Sequence, residues 1–401
     1  MTIVLDWLDL GLRWFHVIAG IAWIGASFFF IWLDASLRPA EHLPQGVRGE
    51  TWMVHGGGFY HAQKYTVAPA HLPEHLHWFK YEAYFTWISG FLLLAVIYYA
   101  NASLFLIDPG VAAMPPWAAI AISAGSLTAG WLVYDGLCRS PIGRHTGILT
   151  GVVFVFVVAV AWGYFQVFAG RAAALHVGAL LGTIMAANVF FVIIPNQKKT
   201  VAAMLDGHAP EPALGLQAKQ RSTHNNYITL PVVLMMIGGH YPVLADRDRG
   251  WLLVALALVL GALLRDFFNR THAGESGPRL LWRLPVAATA FAAMILVATY
   301  DLAPPPSAAA MTAGAPVTTN EVEAIVRQRC ARCHAVKPID EAFDQPPAGL
   351  VLDGAAAIRR NARKILARAV DGRSMPLANK TAMTEQERAR LGAWIRAQEA
   401  Q

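Results

Sequence analysis

Apolar residues fill the first three quarters of this chain in long runs, broken by short polar stretches. A helix that spans a bilayer needs about 20 mostly apolar residues, and eight segments read that way: 10–33, 79–99, 116–137, 147–168, 172–194, 225–240, 250–268 and 284–301. The sixth is the shortest and contains Pro231. The first is no cleavable signal peptide, because its leader M-T-I-V-L-D-W-L-D-L lacks a basic segment and its apolar run is too long. The pattern changes after residue 302. Asp301–Pro316 reads as a Pro/Ala linker with little to bury, and residues 319–401 carry the short helical patterns of a small domain, near 320–332, 354–370 and 384–398. The expected fold is all-α: an eight-helix transmembrane bundle (1–302), a linker (303–318) and a small helical domain (319–401).

Composition agrees. Of 401 residues 56% are hydrophobic and 14% charged, against about 25% charged in a typical soluble chain. The shortage is confined to one part: residues 1–302 hold 34 charges, whereas 303–401 hold 24 in 99 positions. Three cysteines exclude a disulfide scaffold, and the apolar content excludes a disordered chain or an ordinary soluble enzyme. The net charge of +6 is modest and its cations lie mostly in inter-helix loops, which argues against nucleic acid as a partner and for a lipid bilayer. Loops after spans one, three, five and seven hold 14 basic residues and the opposite side four. Basic loops stay cytoplasmic, so both termini are expected in the periplasm of a bacterial inner-membrane, multi-pass protein.

The small domain carries Cys330-Ala331-Arg332-Cys333-His334, the C-x-x-C-H pattern of covalent haem c attachment. Two thiols bond the haem vinyl groups and His334 supplies the proximal axial nitrogen. A zinc site would want a second Cys/His pair, and none follows; Cys138 reads as an inert free thiol. The domain has no other His, so the distal ligand falls to a methionine. Met375, beside Pro376, is preferred over Met383, which opens a helix with Thr384 as its N-cap. His/Met ligation raises the haem potential. This domain resembles the class I cytochromes c, and haem c is attached outside the cytoplasmic membrane, in agreement with the basic-loop count.

Ionisable groups inside spans are costly and mark function. His16 and His176 lie at matching depth in spans that enter from the same side, as the axial pair of a haem b would. The cytoplasmic ends gather Lys80, Glu82, His224, Asn225, Asn226 and Arg265, a set suited to a planar, anionic, hydrogen-bonding substrate: cations for charge, amides for polar edges, Glu82 or His224 for proton transfer. His77, with His224, is the candidate ligand of a second haem b, or a substrate contact. In the first loop, His55-Gly56-Gly57-Gly58-Phe59-Tyr60 reads first as a turn, and His71, Glu74, His75 and His77 as an irregular cluster of metal-ligand types.

The stretches W-F-H-V-I-A-G-I-A-W-I-G-A-S-F-F-F (14–30), H-G-G-G-F-Y (55–60), L-P-E-H-L-H-W-F-K-Y-E-A-Y-F-T-W-I-S-G (72–90) and R-S-T-H-N-N-Y-I-T-L-P-V (221–232) resemble the PuuD-type membrane-bound urate hydroxylases, across the whole chain and in domain order. The resemblance implies oxidation of urate to 5-hydroxyisourate, with electrons passed to the chain's own cytochrome c and onward to a soluble cytochrome c or terminal oxidase. The competing expectation is an electron-transfer subunit, fed by quinol or a dehydrogenase, without small-molecule catalysis.

Overall fold

An apolar segment satisfies its backbone most simply as a helix, because every N–H and C=O finds its partner inside the segment. The computed structural model describes residues 3–69, 71–239, 241–246, 248–299, 317–340, 343 and 345–399. Helix α1 (Ile3–Ser36) leads into the strands β1 (Val47–His55) and β2 (Gly58–Tyr65). Helices α2 (Tyr81–Leu93), α3 (Ala102–Phe105), α4 (Pro116–Arg139), α5 (Thr146–Val167), α6 (Gly170–Ala187), α7 (Ile194–Leu205), α8 (Pro212–Gly238), α9 (Gly250–His272), α10 (Pro278–Leu281) and α11 (Arg283–Thr299) follow. Helix α2 continues as a π-helical turn over Leu94–Tyr99, and a second one, Asn188–Ile193, joins α6 and α7 into one rod.

Among the described residues seven helices are long and apolar enough to cross a membrane. The sixth expected span is not one of them. It belongs to α8, whose 27 residues reach back to Pro212 and include a polar stretch that packing inside the bundle, rather than lipid, accommodates. Pro231 sits buried within α8, facing Gly261 of α9; a Cβ on Gly261 would lie 2.6 Å from the proline Cδ. The missing side chain lets the proline ring seat against α9.

Burial ranks the helices. In its most apolar window the α6–α7 rod is 61% buried and α1 only 6%. The core gathers around Leu180 and Leu181 of α6, with Leu127, Tyr134, Phe165 and Met235 from its neighbours, while Trp7, Trp14 and Ile21 of α1 face outward.

The expectation of an all-α chain needs one correction. β1 and β2 pair antiparallel, with Gly56 and Gly57 in the turn at φ +57° and +80°. Two consecutive positive φ values favour glycine and match the twist of a tight hairpin. The glycine run is therefore a turn, and the polar loop around it carries β1 and β2.

In the small domain, helices α12 (Thr319–Arg329), α13 (Ala331–His334), α14 (Ala355–Arg360), α15 (Ala362–Ile365) and α16 (Glu385–Glu399) surround Val322, Ile358, Leu391, Trp394 and Ile395. The helix expected over 354–370 is broken at Asn361 and ends in a π-helical turn, Leu366–Asp371. Thr384 caps α16 reciprocally: it accepts from Glu387 N–H at 3.2 Å, and its own N–H donates to the Glu387 carboxylate at 2.7 Å. Apart from Val317 and Thr318, the expected linker lies outside the described residues.

Candidate functional site

Successive residues on a helix point about 100° apart, so the polar stretch of α8 presents different residues to different neighbours. On the side facing α4 and α6, Arg221 donates to Asp135 at 2.7 Å and lies over the Tyr134 ring. Asp135 also accepts from Arg139 at 2.6 Å. Asn188, the first residue of its π-helical turn, donates to the Asn225 side-chain oxygen at 2.9 Å and to the Tyr134 hydroxyl at 3.2 Å. Asn225 in turn donates to the Met185 carbonyl at 2.9 Å. Since Asn188 donates to Tyr134, the hydroxyl proton is free to go to His224 Nδ1, 2.7 Å away. The buried cation of this cluster thus has a carboxylate, which the exposed Arg139 shares, and π-helical turns often mark functional places.

On the side facing α9 the accounting differs. Arg265, 5% exposed, donates to Asn226 Oδ1 at 3.1 Å and to Asn269 Oδ1 at 2.8 Å. Among the described residues it has no carboxylate partner. The next residue, Asp266, is taken by Tyr227, Arg270 and Arg283. Asn226 is fully buried, and its Nδ2 finds no hydrogen-bond partner. A buried amide N–H without an acceptor costs about 1–3 kcal/mol, and a buried cation without a counter-charge costs several kcal/mol more. The Arg265 guanidinium stacks on Phe28 of α1, 3.7 Å from the ring centre. Beside it opens a recess of about 430 Å³ lined by Phe28, Phe29, Trp32, Arg265, Phe268 and His272.

The six residues expected to form one substrate pocket therefore fall into three groups. His224 and Asn225 belong to the satisfied cluster, and His224 Nδ1 is occupied by Tyr134. Asn226 and Arg265 belong to the unsatisfied one. Lys80 and Glu82 start α2, where Lys80 lies over the Tyr81 ring and neither bonds to the other two groups. His77 meets the Phe79 ring edge-on. His71, Glu74 and His75 lie in the irregular segment before α2, and among the described residues no three potential metal ligands come together.

His16 and His176, expected as the axial pair of a haem b, sit in different packing contacts. His16 Nδ1 donates to the Thr86 carbonyl at 3.0 Å, within the contact of α1 with α2. His176 is fully buried among Tyr98, Tyr164 and Phe168. Its Nδ1 donates to the Ala172 carbonyl at 2.7 Å, and its Nε2 accepts from Ser123, 2.6 Å away. The two rings share no hydrogen-bond partner. Both nitrogens of His176 thus have protein partners, and a haem b on this pair would need Nε2 to exchange Ser123 for iron.

The C-x-x-C-H segment fits a haem c. His334 Nδ1 lies 3.0 Å from the Leu350 carbonyl, which only accepts, so Nδ1 carries the proton and Nε2 keeps the lone pair an axial ligand needs. Cys330 and Met375 pack against the same apolar cluster, whereas Met383 is buried inside it. Burial pushes the Cys330 thiol up to about 12 and raises the Cys333 thiol as well. A metal ligand or exchanging dithiol works as thiolate, which these thiols disfavour; addition to a vinyl group consumes the thiol itself. Met375 also lines a cavity of about 140 Å³ shared with Phe105, Arg171 and Tyr241 of the helical bundle, at the end opposite the hairpin.

Sequence reasoning missed Asp135, Tyr134, Asn188, Asn269 and His272, and counted Arg221 as a loop cation, although α8 buries it. An acidic residue inside an apolar run was the available signal for Asp135.

A family model described as Urate oxidase N-terminal matches residues 2–299, from the start of the chain to the end of α11. Among curated proteins and solved structures, none matches. With most of its length matched, the chain belongs to the urate oxidase N-terminal family and is a urate-oxidase-related protein.

Proposed function

We propose that this member of the urate oxidase N-terminal family is a membrane-bound urate hydroxylase that delivers electrons to its own haem c. The family match over residues 2–299 carries the reading. The reaction balances as urate plus water giving 5-hydroxyisourate, two protons and two electrons. Haem c, when bound through Cys330, Cys333, His334 and Met375, supplies one-electron acceptance at a raised potential. The protein's part is to bind the substrate anion, shield it from bulk water and receive protons. The bilayer-crossing orientation follows the basic loops: the hairpin end is cytoplasmic, and the domain bearing Met375, at the opposite end, is periplasmic. A soluble cytochrome c or a terminal oxidase reoxidises it.

The full-length haem-loaded protein, mixed anaerobically with urate, is expected to show reduction of the haem c absorption bands, two equivalents per urate consumed. Reduction by a quinol with none by urate would overturn the proposal and leave an electron-transfer subunit.

A further inference from the structure

Three arginines are buried in the helical bundle, and two have carboxylates: Arg221 has Asp135 and Arg283 has Asp266. The third, Arg265, has only amide oxygens. Its Nε and Nη2 point at Asn226 and Asn269, which leaves Nη1 without a protein partner. Close by, Asn226 Nδ2 is a second donor with nothing to donate to. Asn226 Oδ1 cannot relieve the deficit, because it already accepts from Arg265 and from Asn269 Nδ2 at 3.0 Å. Both unmet demands are for an acceptor, and one of the groups is a cation. A water would satisfy the amide but not the charge. What satisfies the charge is an anionic oxygen or deprotonated ring nitrogen.

The surroundings narrow the ligand further. Phe28 covers one face of the guanidinium at 3.7 Å, so an anion must approach along its edge, in the plane where its N–H groups point. The adjoining recess is walled by aromatic rings, which favour a flat ring system over a tetrahedral anion such as phosphate. We propose that Arg265 binds the urate anion through its free Nη1 edge, with the urate ring in the recess beside Phe28, and that Asn226, behind the guanidinium, positions it through Oδ1. The inference rests on the urate hydroxylase reading and adds to it the contacts that hold the substrate. It also divides the polar stretch of α8: Asn226 positions the binding cation, whereas Asn225 and Arg221 hold the helices.

The test uses full-length haem-loaded protein in lipid nanodiscs, with labelled urate at equilibrium and thermal unfolding followed alongside. Asn226→Asp is the decisive variant, because it places a carboxylate against Arg265 and satisfies that cation from within. Its unfolding temperature is expected to stay level or rise, while urate affinity falls about 10- to 100-fold, the loss of one charge-assisted bond. Arg265→Gln is expected to lose urate binding to a similar degree, and serves as the second variant if the first does not fold. Wild-type affinity in a folded variant would overturn this site while leaving the urate reading intact. Absence of urate binding by the wild type would overturn both.

Discussion

Asn225 and Asn226 are adjacent in the sequence, equally buried and identical in chemistry, yet they meet opposite surroundings. Asn225 closes a network in which Asp135, Arg221, Asn188 and Tyr134 satisfy one another. Asn226 joins Arg265 and Asn269 in a group that has more donors than acceptors. The first arrangement is what a protein needs to fix helices in place. The second is costly to the ligand-free fold, and the cost is recovered when something anionic binds. Satisfied and unsatisfied polar groups thus separate scaffold from site more clearly than residue type does.

The largest effect is expected where a counter-charge is removed. Asp135→Asn leaves Arg221 buried without a full charge opposite it and should destabilise the bundle by about 3–5 kcal/mol, read by thermal unfolding of the full chain. Arg265→Met removes a cation that had no carboxylate to begin with and should cost clearly less. Equal losses would break the contrast between the two clusters.

His176 extends the comparison to the other end of the bundle. Both its nitrogens are satisfied by protein, so it should behave as scaffold. His176→Ala is expected to lower stability by about 3 kcal/mol through the cavity and the lost bonds, with an unchanged haem spectrum. Loss of a b-type band would show that the histidine binds iron after all.

The asparagines give a smaller and sharper test. Asn225→Ala removes one of two acceptors of Asn188 Nδ2 and a second donor to the Met185 carbonyl, and should cost about 1–3 kcal/mol. Asn226→Asp removes the unpaired donor and keeps the acceptor of Arg265 and Asn269, so the unfolding temperature should not fall while urate binding weakens. The reverse order would exchange the roles of the two faces.

The smallest effect lies outside the membrane, in the hairpin. Glu50 accepts from His61 at 2.8 Å, and this bond, with Gln63 and His42 nearby, holds its carboxyl below the usual carboxylate range. A depressed carboxylate contributes stability that is fully present above its unfolded value and lost as pH falls through the folded one. The protection of β1 and β2 amides, taken relative to the intrinsic exchange rate at each pH, should therefore fall as pH drops below the ordinary carboxylate range. Glu50→Gln should flatten that dependence; a flat wild-type profile would rule out the mechanism.

Much of the architecture was legible because it is encoded in contiguous residues. Apolar runs mark helices, and C-x-x-C-H sits inside five positions. The hairpin was legible in principle through its glycine turn, but a polar loop between membrane spans drew the reading away from strands. The sixth span came out too short because Arg221, Asn225 and Asn226 look like a helix end; within the bundle, partners on α4 and α6 let α8 continue through them. Depth along a helix follows from counting residues, and on depth alone His16 and His176 matched.

The sequence by itself determined the long apolar helices, the C-x-x-C-H motif and a set of polar residues too costly to bury without purpose. The tertiary structure decided which of them are already paired. Direction around a helix axis depends on how neighbouring helices pack, and whether a buried donor finds an acceptor depends on residues far away in the chain. Asp135 therefore belongs with Arg221 across 86 positions, and Arg265 is left with a charge that nothing in the bundle balances.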